Sequence, residues 1–83
     1  MLMNFVITKI VENSLKDDEL IKRHSSLRTD KHKFPFRMYD DDQEFYFEGL
    51  SKVNNSFDPL DEIGYSAGCT EIHYLENGKF VRL

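Results

Sequence analysis

The chain has 83 residues and a formal net charge of −4, with 40% hydrophobic, 13% aromatic and 31% charged residues, a composition in the globular range. So short a chain buries only roughly 60–65% of the surface its unfolded form exposes, which allows one thin core and no separate cofactor domain. The single Cys69 excludes an internal disulfide, Lys9 and Glu12 interrupt the apolar start before a signal-peptide core builds up, and no run approaches the roughly 18 apolar residues of a membrane span. These features predict a single soluble cytoplasmic domain over residues 1–83 with no membrane association.

Residues 4–11 are dense in β-branched side chains (Val6, Ile7, Thr8, Ile10, Val11) and predict a first strand. Ser14 can then cap a short helix, with Asp17, Asp18 and Glu19 near its positive end and Lys22, Arg23 and His24 near its negative end, the order a helix dipole favours. Its apolar positions are only Leu15, Leu20 and Ile21, so its anchorage is weak, and residues 25–33 read as a polar loop. Charge is uneven along the chain. Residues 22–37 carry +5 and include His24 and His32, residues 38–83 carry −7, and the first 21 carry −2.

A hairpin is expected over residues 34–50, where apolar and polar positions alternate on both arms of the acidic tip Asp40-Asp41-Asp42-Gln43. An even-numbered loop places Met38 opposite Phe45 and Phe36 opposite Phe47, and it sets Arg37 and Tyr46 together on the other face beside Tyr39 and Glu44. A three-residue tip would mismatch the faces. Pro35 cannot donate to a ladder, so this strand begins there or lies at an edge. Residues 51–67 read as a long loop, of a length that either serves a role of its own or packs on itself through Phe57, Leu60, Ile63 and Tyr65. A second hairpin closes the chain, because Asn77-Gly78 suits a two-residue type I′ turn whose central residues both take positive φ. That turn pairs Glu76 with Lys79, Leu75 with Phe80, Tyr74 with Val81, His73 with Arg82 and Ile72 with Leu83.

Three chemical constellations need weighing. Gly64-Tyr65-Ser66-Ala67-Gly68 matches the G-x-S-x-G pattern of hydrolase nucleophiles, but that chemistry needs a strand before the serine and a helix after it, with histidine and carboxylate arriving from later units. Here Pro59, Asp61 and Glu62 precede Ser66, and the residues that follow belong to the last hairpin. Cys69 and His73 stand about 13 Å apart on an extended strand, too far to share one zinc ion. Asp40–Asp42 lack the glycine and distal glutamate of a calcium loop. The expectation is therefore no catalytic residue, no metal and no cofactor.

The fold class expected is α+β, a small single domain dominated by an antiparallel sheet made of two hairpins and the N-terminal strand, with one short helix. Its core comprises Phe5, Ile7, Phe36, Met38, Phe45, Phe47, Ile72, Tyr74 and Val81. With no reaction centre indicated, the function expected is non-enzymatic binding or regulation through a protein partner, with Arg37, Tyr39 and Tyr46 on the exposed sheet face and Tyr65 on the loop as the binding residues. Two alternatives stand beside it. The basic 22–37 segment and the aromatic face could hold single-stranded nucleic acid, although Glu44 and Glu48 would repel phosphate. Conversely, Asp40–Asp42, Glu44, Glu48, Asp58, Asp61 and Glu62 could imitate a phosphate array and inhibit a nucleic-acid enzyme.

Overall fold

The computed structural model describes residues 4–11 and 18–83, with side chains described for all of these except 18–21. Five strands run in chain order as β1 (Phe5–Ile10), β2 (Phe34–Tyr39), β3 (Phe45–Ser51), β4 (Glu71–Glu76) and β5 (Lys79–Arg82). A helix, α1 (Asp18–Leu27), separates β1 from β2, and a π-helical turn, Leu60–Gly64, leads into the short turn α2 (Tyr65–Ala67) ahead of β4. The strands form one antiparallel sheet in the order β1-β3-β2-β4-β5.

One face of the sheet holds the core. Phe5, Ile7, Phe36, Met38, Phe47, Ile72 and Tyr74 are all within 1% of full burial and pack with Leu60, Ala67 and Cys69 from the segment before β4. The chain's shortest principal extent is 19 Å, which fits a sheet with one further layer at about 10 Å spacing. Two expected core residues lie elsewhere. Phe45 is only half-buried, on the face opposite the core, and Val81 is 45% exposed because β5 is the outermost strand.

Two β-bulges explain the departures from simple alternation. The tip between β2 and β3 has three residues, 41–43, closed by Asp40 N–H donating to Glu44 O (3.1 Å) and Gln43 N–H donating to Asp40 O (3.1 Å), with Gln43 at φ 69°. Tyr39 pairs with Phe45, yet Met38 pairs with Phe47 and Phe36 with Gly49, so Tyr46 is the extra residue. The even loop expected from the sequence is thus replaced by an odd loop and a compensating bulge, which returns Phe47 to the core and moves Tyr46 away from Arg37. In β1, Thr8 is extra between Ile7 and Lys9, and after it Ile10 turns back toward the core.

β4 and β5 pair in the register expected, Glu76 with Lys79 through His73 with Arg82, and Leu83 N–H donates to Ile72 O (3.0 Å). Asn77 and Gly78 take φ 50° and 82°, the pair of positive values the turn requires. Pro35 sits near the start of β2, on the β3 side of the strand's pairing, before the contacts with β4 begin at Phe36. The helix continues to Leu27, beyond the expected start of a loop at residue 25, and the Ser14 cap lies outside the described residues.

Two histidines of the basic segment are interior. His24 is 3% exposed, its ring meets Phe5 edge-on, and its Nδ1 accepts the N–H of Ile7 (2.8 Å), so α1 is clamped to the edge strand β1. His32 Nδ1 accepts the Thr29 N–H (2.9 Å). An accepting Nδ1 carries no proton. Burial, and then the charge of Arg23, hold the His24 imidazole below its ordinary 6.5.

A folded pKa below the unfolded one means that the unfolded chain takes up the proton first. The His24 contribution is therefore complete above pH 6.5 and is lost as pH falls from there through the lower folded value. Stability measured by denaturant titration should decline in this window in the native chain. In His24→Asn, whose amide oxygen is bonded to Cγ as Nδ1 is and accepts without titrating, the decline should flatten. Glu71 and Asp40, held below their ordinary 4.5 and 3.8, contribute losses only in the more acidic range, so the two windows separate.

Candidate functional site

The sheet face opposite the core is where alternation sends Arg37 and Tyr39 from β2, Phe45 and Glu48 from β3, His73 and Leu75 from β4, and Phe80 from β5. All are half-buried, so each keeps part of its surface toward solvent. Arg37 lies at the centre, paired with Glu48 on one side and His73 on the other. Its guanidinium is 4.2 Å from the Phe80 ring centroid and 5.0 Å from that of Phe45, and its Nε donates to Glu48 Oε1 at 3.2 Å. Burial opposes its charge, but hydrogen bonding with Tyr39 and Glu48 outweighs that and raises its pKa above the ordinary value. Arg37 is therefore a fixed cation held between two rings.

Beside it, the Tyr39 ring packs at a tilt against the rings of His73 (centroids 4.5 Å apart) and Phe45 (5.6 Å). His73 Nε2 lies 3.0 Å from Glu71 Oε1, while Glu71 Oε2 accepts from Gln43 Nε2 (3.0 Å) and pairs with Arg82 at 3.6 Å. Glu71 is only 8% exposed, and its hydrogen bond from His73 holds its carboxyl below the usual range despite burial. The result is a preorganised aromatic and polar platform with paired charges. Its side chains hold one another through ring contacts and hydrogen bonds.

The structure brings together two of the four expected binding residues. Arg37 and Tyr39 share the platform. Tyr46 does not, since its bulge directs it to the other side, where it packs against the core and donates its hydroxyl to Asp40 Oδ2 (3.1 Å). Tyr65 is 56% exposed on α2, apart from the sheet. Phe80, Phe45 and His73 are platform members that sequence reading did not single out. The strict 73/82 and 75/80 register was the available signal for the β5 contribution.

The other constellations have structural uses. Ser66 is exposed in α2, which follows the Leu60–Gly64 helical turn and not a strand. A Cβ on Gly64 would lie 2.9 Å from Met38 Sδ, and Gly68 caps the turn at φ 102°, so both motif glycines serve packing and chain reversal. Cys69 is buried, and its thiol is pushed up to about 12 by burial first and by Asp40 second, far from a thiolate nucleophile. Asp40, Asp41 and Asp42 place carboxylate oxygens within 4.8 Å of one another. Asp40 uses its own on the N–H groups of Asp42 and Glu44 (2.9 Å each) and on Tyr46, as the organiser of the tip. Among the described residues, no helix is long and apolar enough to cross a membrane. Searches against protein-family models, curated proteins and solved structures find no match to this chain.

Proposed function

We infer that the protein is a non-enzymatic binding or regulatory protein that acts through a protein partner, which docks on the platform around Arg37. The observation that carries this reading is the Phe45–Arg37–Phe80 stack, with Tyr39 and His73 beside it, half-open on the face opposite the core. Aromatic residues and arginine dominate the energetics of protein interfaces, and here they are already packed against one another. The buried, unreactive Cys69 suits a reducing cytoplasm.

Charge pairing favours a protein over a polyanion. Arg37 is matched by Glu48 and Arg82 by Glu71 on the platform itself, so phosphate would meet carboxylates there. A phosphate-mimicking role is less favoured for a related reason. Asp40, Glu48 and Asp58 engage Tyr46, Arg37 and Asn4, respectively, which draws part of the acidic array into local contacts.

Affinity capture from the native host, using the wild type beside Arg37→Glu and Tyr65→Ala, tests the reading. A specific partner should be retained by the wild type and by Tyr65→Ala, and reduced at least about tenfold by Arg37→Glu, as expected for loss of a central arginine anchor. Retention by all three, or loss only with Tyr65→Ala, contradicts it. Retention of the protein on single-stranded nucleic acid with a steep salt dependence would replace the protein partner with a polyanion.

A further inference from the structure

The two edges of the sheet are treated differently. At β1 the ladder is broken by the Thr8 bulge, and the Ile7 N–H is taken by His24 of α1. Both are devices that keep an edge from templating another strand. At β5 the pairing with β4 runs without a shift from Lys79 to Arg82, and Val81 and Leu83 are 45% and 39% exposed. Leu83 N–H points to Ile72 O, so by the alternation of an antiparallel ladder Lys79 and Val81 also face β4. The N–H and C=O groups of Phe80 and Arg82 therefore point away from the sheet.

We propose that β5 is a self-pairing edge, at which two copies of the chain join antiparallel about a two-fold axis through Val81. In that register the outward groups of Phe80 meet those of Arg82 in the other copy, and by symmetry the reverse, so the exposed ladder groups of both residues are satisfied. Shifting the register would leave part of them unpaired. Val81 lies opposite its own counterpart in a non-hydrogen-bonded pair, where side chains approach closest, which covers an exposed valine in each copy. A cation–π pairing becomes available as well. Each Arg82, already balanced by Glu71, faces the aromatic ring of the opposite Phe80, the residue that holds Arg37 on its own sheet. The contact is isologous and closes at two copies. A two-fold axis normal to the sheet keeps both Arg37 platforms on one side, so the dimer presents them as one continuous face. The pairing uses strand-edge atoms and stands or falls independently of partner binding on that face.

Sedimentation equilibrium over a wide concentration range is the first test. The mass should rise from the 9.8 kDa of the monomer toward twice that value. Arg82→Pro removes an N–H that points outward and leaves the contacts of Lys79, Val81 and Leu83 with β4, so it should stay at monomer mass with unchanged circular dichroism. Val81→Cys supplies a readout that needs no folding assumption. The non-hydrogen-bonded pair sets the two Cα atoms about 4.5 Å apart, inside the range of a disulfide. Oxidised glutathione should convert this variant to a covalent dimer well ahead of Val53→Cys, a control of similar exposure (43%), while buried Cys69 stays inert. Monomer mass at every concentration, dimer mass in Arg82→Pro, or equal crosslinking of the two cysteine variants each overturns the proposal.

Discussion

A single methyl group on Gly49 is expected to remove a large part of the fold's stability. Gly49 lies in β3, flanked by Ile7 of β1 and Phe36 of β2, and the space above its Cα is filled by the Phe36 ring. A Cβ would fall 2.5 Å from Phe36 Cζ and 2.9 Å from its Cε2, and inside contact distance of the Val6 carbonyl oxygen. Neither neighbour can yield. Phe36 is fully buried, and Val6 O belongs to the backbone of a paired strand. Forced overpacking of this kind costs about 3 kcal/mol or slightly more. A chain of this size has a total stability on the order of 4–12 kcal/mol, so Gly49→Ala removes a large share of it. Urea titration followed by circular dichroism measures the loss, and a change under about 1 kcal/mol would show that the strands separate more easily than their packing implies.

Phe36→Ala carries a comparable cost with the opposite cause. Its ring meets Phe5 at 6.2 Å and Tyr74 at 5.9 Å between centroids, and it covers Gly49, so its removal opens a void where three strands converge. Phenylalanine truncation in a core costs about 3–5 kcal/mol. The two substitutions occupy the same space, which makes them strongly non-additive. The double variant Phe36→Ala with Gly49→Ala should be less destabilised than the sum of the singles by at least about 1 kcal/mol, because the added methyl enters the space the ring vacates. Simple additivity would contradict the geometry.

The parts of this fold legible in the sequence were those governed by local rules. Asn77-Gly78 demands a particular turn, and the turn dictates every pairing of β4 with β5, whereas the placement of Phe80 over Arg37 also needs β2 to pair with β4, a non-local choice no local rule makes. The alternation of Phe36 and Met38 with Arg37 and Tyr39 likewise identified the outer face from period alone. What resisted was parity. A bulge adds one residue without a distinctive signature, so simple alternation sets Tyr46 with Arg37, whereas the bulged strand docks Tyr46 on Asp40 and the core. Residues 51–67 read as loop because Asn54, Asn55, Pro59 and the glycines dominate their composition. Yet Leu60, Ile63, Gly64 and Ala67 fall at helical spacing between Pro59 and Gly68, and this is the stretch that folds as a π turn and α2 over the core. The basic segment misled in another way. Its charge count cannot show that His24 and His32 turn inward as acceptors, since that depends on the non-local Ile7 N–H and on a local turn at Thr29.

The proposal that a partner docks on the Arg37 platform is tested most directly by hydroxyl-radical footprinting of the protein alone and in complex with its captured partner. Tyr39, Phe45 and Phe80 should lose reactivity in the complex, while Phe57 and Tyr65, exposed on the opposite layer, stay as reactive as before. Protection confined to Phe57 and Tyr65, with the platform aromatics unchanged, would contradict the account.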